Sequence, residues 1–163
     1  MVSQEDQDAL FGQLNRAARG VVEVAHRCSC GQPDVVKTAP RLDDGTPFPT
    51  VYYLTCPRAA AAIGTLEAEG VMRDFAQELE DDPQLAAAYA KAHEEYLAVR
   101  EEIEHVEEIA GISAGGMPNR VKCLHVLVAH SLAAGPGVNP LGDKALAMLP
   151  EWGARGKCGQ TCE

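Results

Sequence analysis

A chain of 163 residues with 46% hydrophobic content is long enough for one domain with its own core. Its net charge of −10 is local: residues 67–108 hold 14 Asp and Glu against 3 Lys and Arg, which disfavours sequence-independent binding of nucleic acid or of anionic membranes through that segment. The start, "MVSQEDQDALFGQLNR", has no basic stretch leading into an apolar one, and no apolar run reaches membrane-spanning length. A cytoplasmic protein without membrane insertion is expected, its six cysteines kept as thiols or metal ligands rather than as a disulfide scaffold.

Taken in chain order, Ser3 and Asp6 resemble a capping pair, Leu10, Leu14 and Ala17 recur at helical spacing, and Gly20 can take the left-handed conformation that ends a helix. From Val21 the pattern alternates, with Val22, Val24, His26 and Cys28 on one strand face and Glu23 and Arg27 on the other. "CSCGQP" reads as a turn, "DVVKTAP" as a second strand, "RLDDGTPFP" as a loop and "TVYYLTC" as a third strand. The connections are too short for helical crossovers, which predicts an antiparallel sheet.

Alanine-rich helices follow. Pro57 suits a first helical position and puts Cys56 at the cap. Gly70 divides this stretch, and "DDP" at 81–83 starts another helix. There Leu85, Tyr89, Ala92, Tyr96, Val99, Ile103, Val106 and Ala110 step by four and three residues, the spacing of a seam. Read as one helix, these 26 residues make a rod of about 39 Å at ~1.5 Å each, which either packs within the chain or projects towards a helical partner. The expected fold is α+β, with a small antiparallel sheet in the N-terminal third packed against a bundle of helices and a buried helix near 119–134. One domain covers 1–149, and residues 150–163 form a flexible tail.

The stretch "GISAGGMPNRVKCLHVLVAHSLAAG" carries most of the candidate chemistry. Val121, Leu124, Val128 and Leu132 form one stripe, and no charge follows Lys122, so the helix is expected to be buried, with His125 and His130 as structural hydrogen bonders or as the floor of a pocket. If helical, Cys123 and His125 are about 200° apart around the axis and point away from each other. Gly115, Gly116, Asn119, Arg120 and Lys122 stand where a flexible loop meets the positive end of a helix dipole, a setting for phosphate or carboxylate. Cys56 and Cys123, each near a helix start, are candidate thiol nucleophiles, with His125, His130 or His26 as base. Cys28, Cys56, Cys123 and His130 are candidate metal ligands with zinc as the metal, and the tail pair Cys158 and Cys162 are further donors.

"RC" at 27–28, "PFPTVYYLTCP" at 47–57, "LEAEG" at 66–70, "GGMPNRVKCLHVLVAHSLA" and "NPLGD" together resemble the bacterial, mainly actinobacterial, domain-of-unknown-function family 501 over about residues 20–149. The resemblance brings no activity. It implies a gene neighbourhood with enolase, an exopolyphosphatase and a septum-forming coiled-coil protein of the DivIC type, hence a link to cell division or envelope functions and a helical partner of that type. It also implies that Cys28, Cys56, Cys123, His125 and His130 describe one pocket between the sheet and the central helix. Two readings follow: an interaction or regulatory protein whose Cys/His-lined pocket binds a small anion or a metal, and a thiol-dependent or phosphoryl-group hydrolase using Cys123 or Cys56 with a histidine.

Overall fold

A computed structural model describes residues 2–153. The order is α1 (Gln4–Leu14), β1 (Val21–Arg27), β2 (Pro33–Thr38), β3 (Tyr52–Leu54), α2 (Pro57–Ala68), α3 (Val71–Asp81), α4 (Pro83–Ile103), α5 (Leu124–Ala134) and α6 (Pro140–Met148), with a single 3₁₀ turn at Glu107–Ile109. The strands form an antiparallel sheet in the order β1-β2-β3, so the fold is α+β as expected. No helix among the described residues is long and apolar enough to cross a membrane.

Local signals place most helix starts. Ser3 accepts the Asp6 amide at the head of α1. Pro57 opens α2 behind Cys56, and Asp82 caps α4 by accepting the amides of Gln84 and Leu85 before Pro83 turns the first helical corner. Two ends differ from expectation. Helix α1 stops at Leu14 because Asn15 takes the left-handed conformation (φ 56°), one of the few non-glycine residues that does so at little cost, and Gly20 instead precedes β1. Strand β1 does not alternate strictly. Its register against β2 shifts three times, so Val24, Ala25 and His26 are half-buried in succession and Val22 is exposed.

The seam of α4 is real up to Ile103 and is consumed inside the chain: Tyr89, Ala92 and Tyr96 are fully buried. At 21 residues the helix is about 32 Å long, and it does not project as a rod of 26. Glu104 is extended, and the chain turns back so that buried Arg100 can donate to the carbonyls of Pro49 and Ile109. A helix continued through Glu104, Glu107 and Glu108 would also stack carboxylates at the negative end of its dipole. Val106, read as part of the seam, is buried from outside the helix.

Tyr96 ties α4 to the sheet. Its hydroxyl accepts the Val51 amide at 2.9 Å, and its ring meets Tyr52 edge-on at 5.9 Å. On the core side of β3 lies α5, whose Leu124, Leu127, Val128 and Ala129 are fully buried. Helix α6 closes over α5 at Gly142, where a Cβ would collide with the Leu127 carbonyl oxygen and the Ser131 hydroxyl. After Pro150, Glu151 accepts from the Ser29 hydroxyl at 2.8 Å and Gly153 approaches Cys28, while the rest of the tail, with Cys158 and Cys162, lies outside the described residues. Gly142→Ala should lower unfolding free energy by about 1–3 kcal/mol, read from the midpoint of urea unfolding.

Candidate functional site

Helix α5 begins at Leu124, later than the apolar stripe suggests, because the preceding loop is tied to itself. The amides of Arg120 and Lys122 donate to the carbonyls of Gly116 and Gly115, both at 2.8 Å. Cys123 is therefore the cap residue, in extended conformation (φ −153°, ψ 110°), and the helical angle of 200° between Cys123 and His125 does not apply. Their side chains come to the same side instead. The Cys123 sulfur, one imidazole nitrogen of His125 and one carboxylate oxygen of Glu67 all lie within 4.8 Å of one another.

Glu67, on the last turn of α2, holds this arrangement. One of its oxygens accepts the Leu124 amide at 3.0 Å and the other faces His125 Nδ1 at 3.1 Å. A carboxylate at the first amide of a helix is favoured by the unpaired N–H and by the dipole. His125 Nε2 donates to the Ala60 carbonyl at 3.1 Å, also on α2, which fixes the ring and leaves Nδ1 as the nitrogen with a lone pair in the neutral form.

The electrostatics match the geometry. Burial works against ionising Cys123, but hydrogen bonding to His125, the Val126 amide directed at the sulfur and the imidazole charge together outweigh it, so the thiol ionises below its usual range. His125 is pushed up, first by its interaction with Cys123 and then, against burial, by the charge of Glu67. Cys123 and His125 line a cleft of about 430 Å³ beside the edge strand β3, together with Gln13, Tyr52, Tyr53, Leu54, Thr55 and Val126.

The remaining candidates lie elsewhere. His130 is fully buried and fully partnered: Asn139 donates to its Nδ1 at 3.1 Å, its Nε2 meets Glu95, and it stacks on Tyr52 with ring centres 5.8 Å apart. Of the two roles open to the histidines of this helix, His130 takes the structural one and His125 the pocket one. Cys56 occupies the predicted cap of α2, but its side chain is buried with Cys28 and Ala59 in a small separate cluster. The proposed ligand set Cys28, Cys56, Cys123 and His130 is thus spread over three places, and among the described residues the one group of three or more metal-type ligands is Glu67, Cys123 and His125. In the loop of Gly115, Gly116, Asn119, Arg120 and Lys122, expected from sequence to suit an anion, the Arg120 and Lys122 amides are spent within the loop, and the first helical amide is taken by Glu67.

The profile of a protein family of unknown function, DUF501, matches residues 24–147. The chain belongs to DUF501. The matched span holds Glu67, Cys123 and His125, so the whole cluster lies inside the family's domain. No curated protein and no solved structure matches this DUF501 chain.

Glu67 is the residue that sequence reasoning missed. It sits in "LEAEG", a stretch that contributed to the family resemblance, but a glutamate near the end of an alanine-rich helix carries no local mark of a partner 57 residues away. The shifted titrations give a direct test. The lowered thiol and the raised imidazole both shift the balance towards a thiolate–imidazolium pair. In chelator-treated protein, the pH profile of Cys123 alkylation by iodoacetamide should therefore have its midpoint below the ordinary thiol value of about 8.5. His125→Ala should move that rate profile to higher pH, as followed by peptide mapping.

Proposed function

We propose that this protein is a cytosolic metal-dependent binding protein in which Glu67, Cys123 and His125 hold one divalent cation of the zinc class at the edge of the β3 cleft. What carries this reading is the convergence of a thiol, an imidazole and a carboxylate within 4.8 Å. Zinc bonds of about 2.0–2.3 Å put the ligand atoms of a tetrahedral ion about 3.3–3.8 Å apart, so closing this cluster onto an ion takes shifts on the order of 1 Å. The donor set also fits in its outer contacts. The nitrogen of His125 that would not bind metal donates to a backbone carbonyl, the usual way a ligating histidine is oriented, and Glu67 is anchored by the Leu124 amide. Three protein ligands would leave a fourth position for water or a bound group, and two of those ligands, Cys123 and His125, line the cleft. The seam of α4 is spent in the core, so the acidic outer sides of α3 and α4 are what the chain offers to a basic partner.

The lowered Cys123 thiol favours a second reading, a thiol-dependent hydrolase with His125 as base. It ranks second because a nucleophile–histidine–acid relay uses the two ring nitrogens for the two partners, whereas here Nδ1 faces Glu67 and Nε2 is held by Ala60. Elemental analysis of protein purified without affinity metal or chelator separates the two. The metal reading predicts that Cys123→Ala and His125→Ala each lose one equivalent of zinc relative to wild type, while Cys56→Ala keeps it. Unchanged zinc in both variants, or wild type free of metal with a fast-reacting Cys123, would overturn it in favour of the thiol reading.

A further inference from the structure

Strand β3 ends the sheet. Among the described residues it pairs with β2 alone, and the register fixes which of its backbone groups are used. The Thr38 amide donates to the Val51 carbonyl and the Thr55 amide to the Asp34 carbonyl, both at 2.8 Å, so Val51, Tyr53 and Thr55 are the positions that bond towards β2. In an antiparallel ladder the residues between them point the other way, so Tyr52 and Leu54 direct N–H and C=O off the end of the sheet. The Tyr52 amide lies 3.4 Å from the Tyr96 hydroxyl, whereas the outward N–H and C=O of Leu54 have no partner among the described residues.

The cleft of about 430 Å³ runs along this edge rather than over either face of the sheet. Successive side chains of β3 alternate: Tyr52 stacks on His130 of α5 on one face, and Tyr53 borders Leu14 of α1 on the other. Both tyrosines line the cleft, together with Leu14 from the α1 side and Val126 from the α5 side. Only a space off the end of the sheet meets all four. Leu54 thus offers one unused donor and one unused acceptor to a slot between two helical layers, the pattern that another extended backbone matches. At this volume the slot holds one extended chain and excludes the sheet of a second copy.

We propose that the β3 cleft is a peptide-binding slot, in which an extended segment of another protein adds as a fourth strand and pairs with the N–H and C=O of Leu54. Alternate side chains of the added strand face opposite sides. One set meets Leu14 and Tyr53 and is apolar; the other meets Val126 and the Cys123–His125 pair and includes a carboxylate that takes the fourth metal position. The carboxylate contact rests on the metal reading above. The strand pairing does not.

The test titrates acetylated and amidated pentapeptides into isotope-labelled, full-length protein of measured zinc content, followed by the amide resonances. The alternating peptide Val-Asp-Val-Asp-Val should bind about fivefold or more tighter than Val-Val-Asp-Asp-Val, which has its composition without its alternation. Methylating the peptide nitrogens one at a time should cost about fivefold at residues of one parity only, and the Leu54 amide should gain protection from hydrogen exchange only in the complex. Equal binding of the two peptides, no parity effect, or no binding up to about 5 mM overturns the slot. So does a Leu54 amide already protected in the free protein, since the edge would then be covered by this chain itself. Val-Ser-Val-Ser-Val should bind more weakly than the aspartate peptide on zinc-loaded protein. Equal binding of these two with the parity pattern intact overturns the carboxylate contact and leaves the slot standing. Protein that takes up no zinc at Cys123 and His125 overturns the metal reading, while the parity pattern still decides the slot.

Discussion

The Glu67 carboxylate carries two obligations at once. It satisfies the first amide of α5, which would otherwise be an unpaired donor next to the core, and it faces Nδ1 of His125 one residue further on. Because Glu67 and Ala60 both belong to α2, that helix fixes the entry of α5 and the orientation of the imidazole together. Cys123 then has little choice. As the cap residue it leaves the helical spiral, and its thiol comes to lie beside His125 rather than opposite it. The packing of α2 against α5 and the geometry of the candidate site are therefore one constraint.

The core makes that constraint rigid. Leu124, Leu127 and Val128 are buried without remainder, α6 closes on α5 at a glycine that leaves no room for a side chain, and Tyr96 links α4 to β3 through the Val51 amide. His130 belongs to this framework: with both ring nitrogens engaged and an aromatic ring on its face, it holds α5 to α4 and to the head of α6. Two histidines five residues apart on one helix thus serve different ends. One is locked into the core, and the other is presented to a cleft.

Much of this was legible in the sequence wherever the signal is local. Ser3, Cys56 with Pro57, and Asp82 with Pro83 marked helix starts correctly because capping chemistry depends on the next three or four residues alone. The turn at "CSCGQP" and the three strands followed from turn residues and β-formers. What failed depended on distant partners. The end of α4 is decided by Arg100 reaching the carbonyls of Pro49 and Ile109, while Val106 and Ala110 keep the seam's spacing without its conformation. The start of α5 is decided by loop hydrogen bonds to Gly115 and Gly116, and assuming a helix there turned Cys123 away from His125. Cys123 and His125 were each candidates from sequence, beside Cys56 and His130, but Glu67, which completes the cluster, is one glutamate among many and could be identified only once α2 and α5 were seen side by side.

The central claim is that a single metal ion is held by one sulfur, one imidazole and one carboxylate. X-ray absorption at the zinc edge on the full chain tests it most directly, because it counts scatterers by element. The account predicts one sulfur at about 2.3 Å with the remaining ligands nitrogen or oxygen at about 2.0–2.2 Å, and loss of the sulfur shell in Cys123→Ser. A shell of two or more sulfurs, or a sulfur shell that survives Cys123→Ser, would place the metal among other cysteines and contradict it.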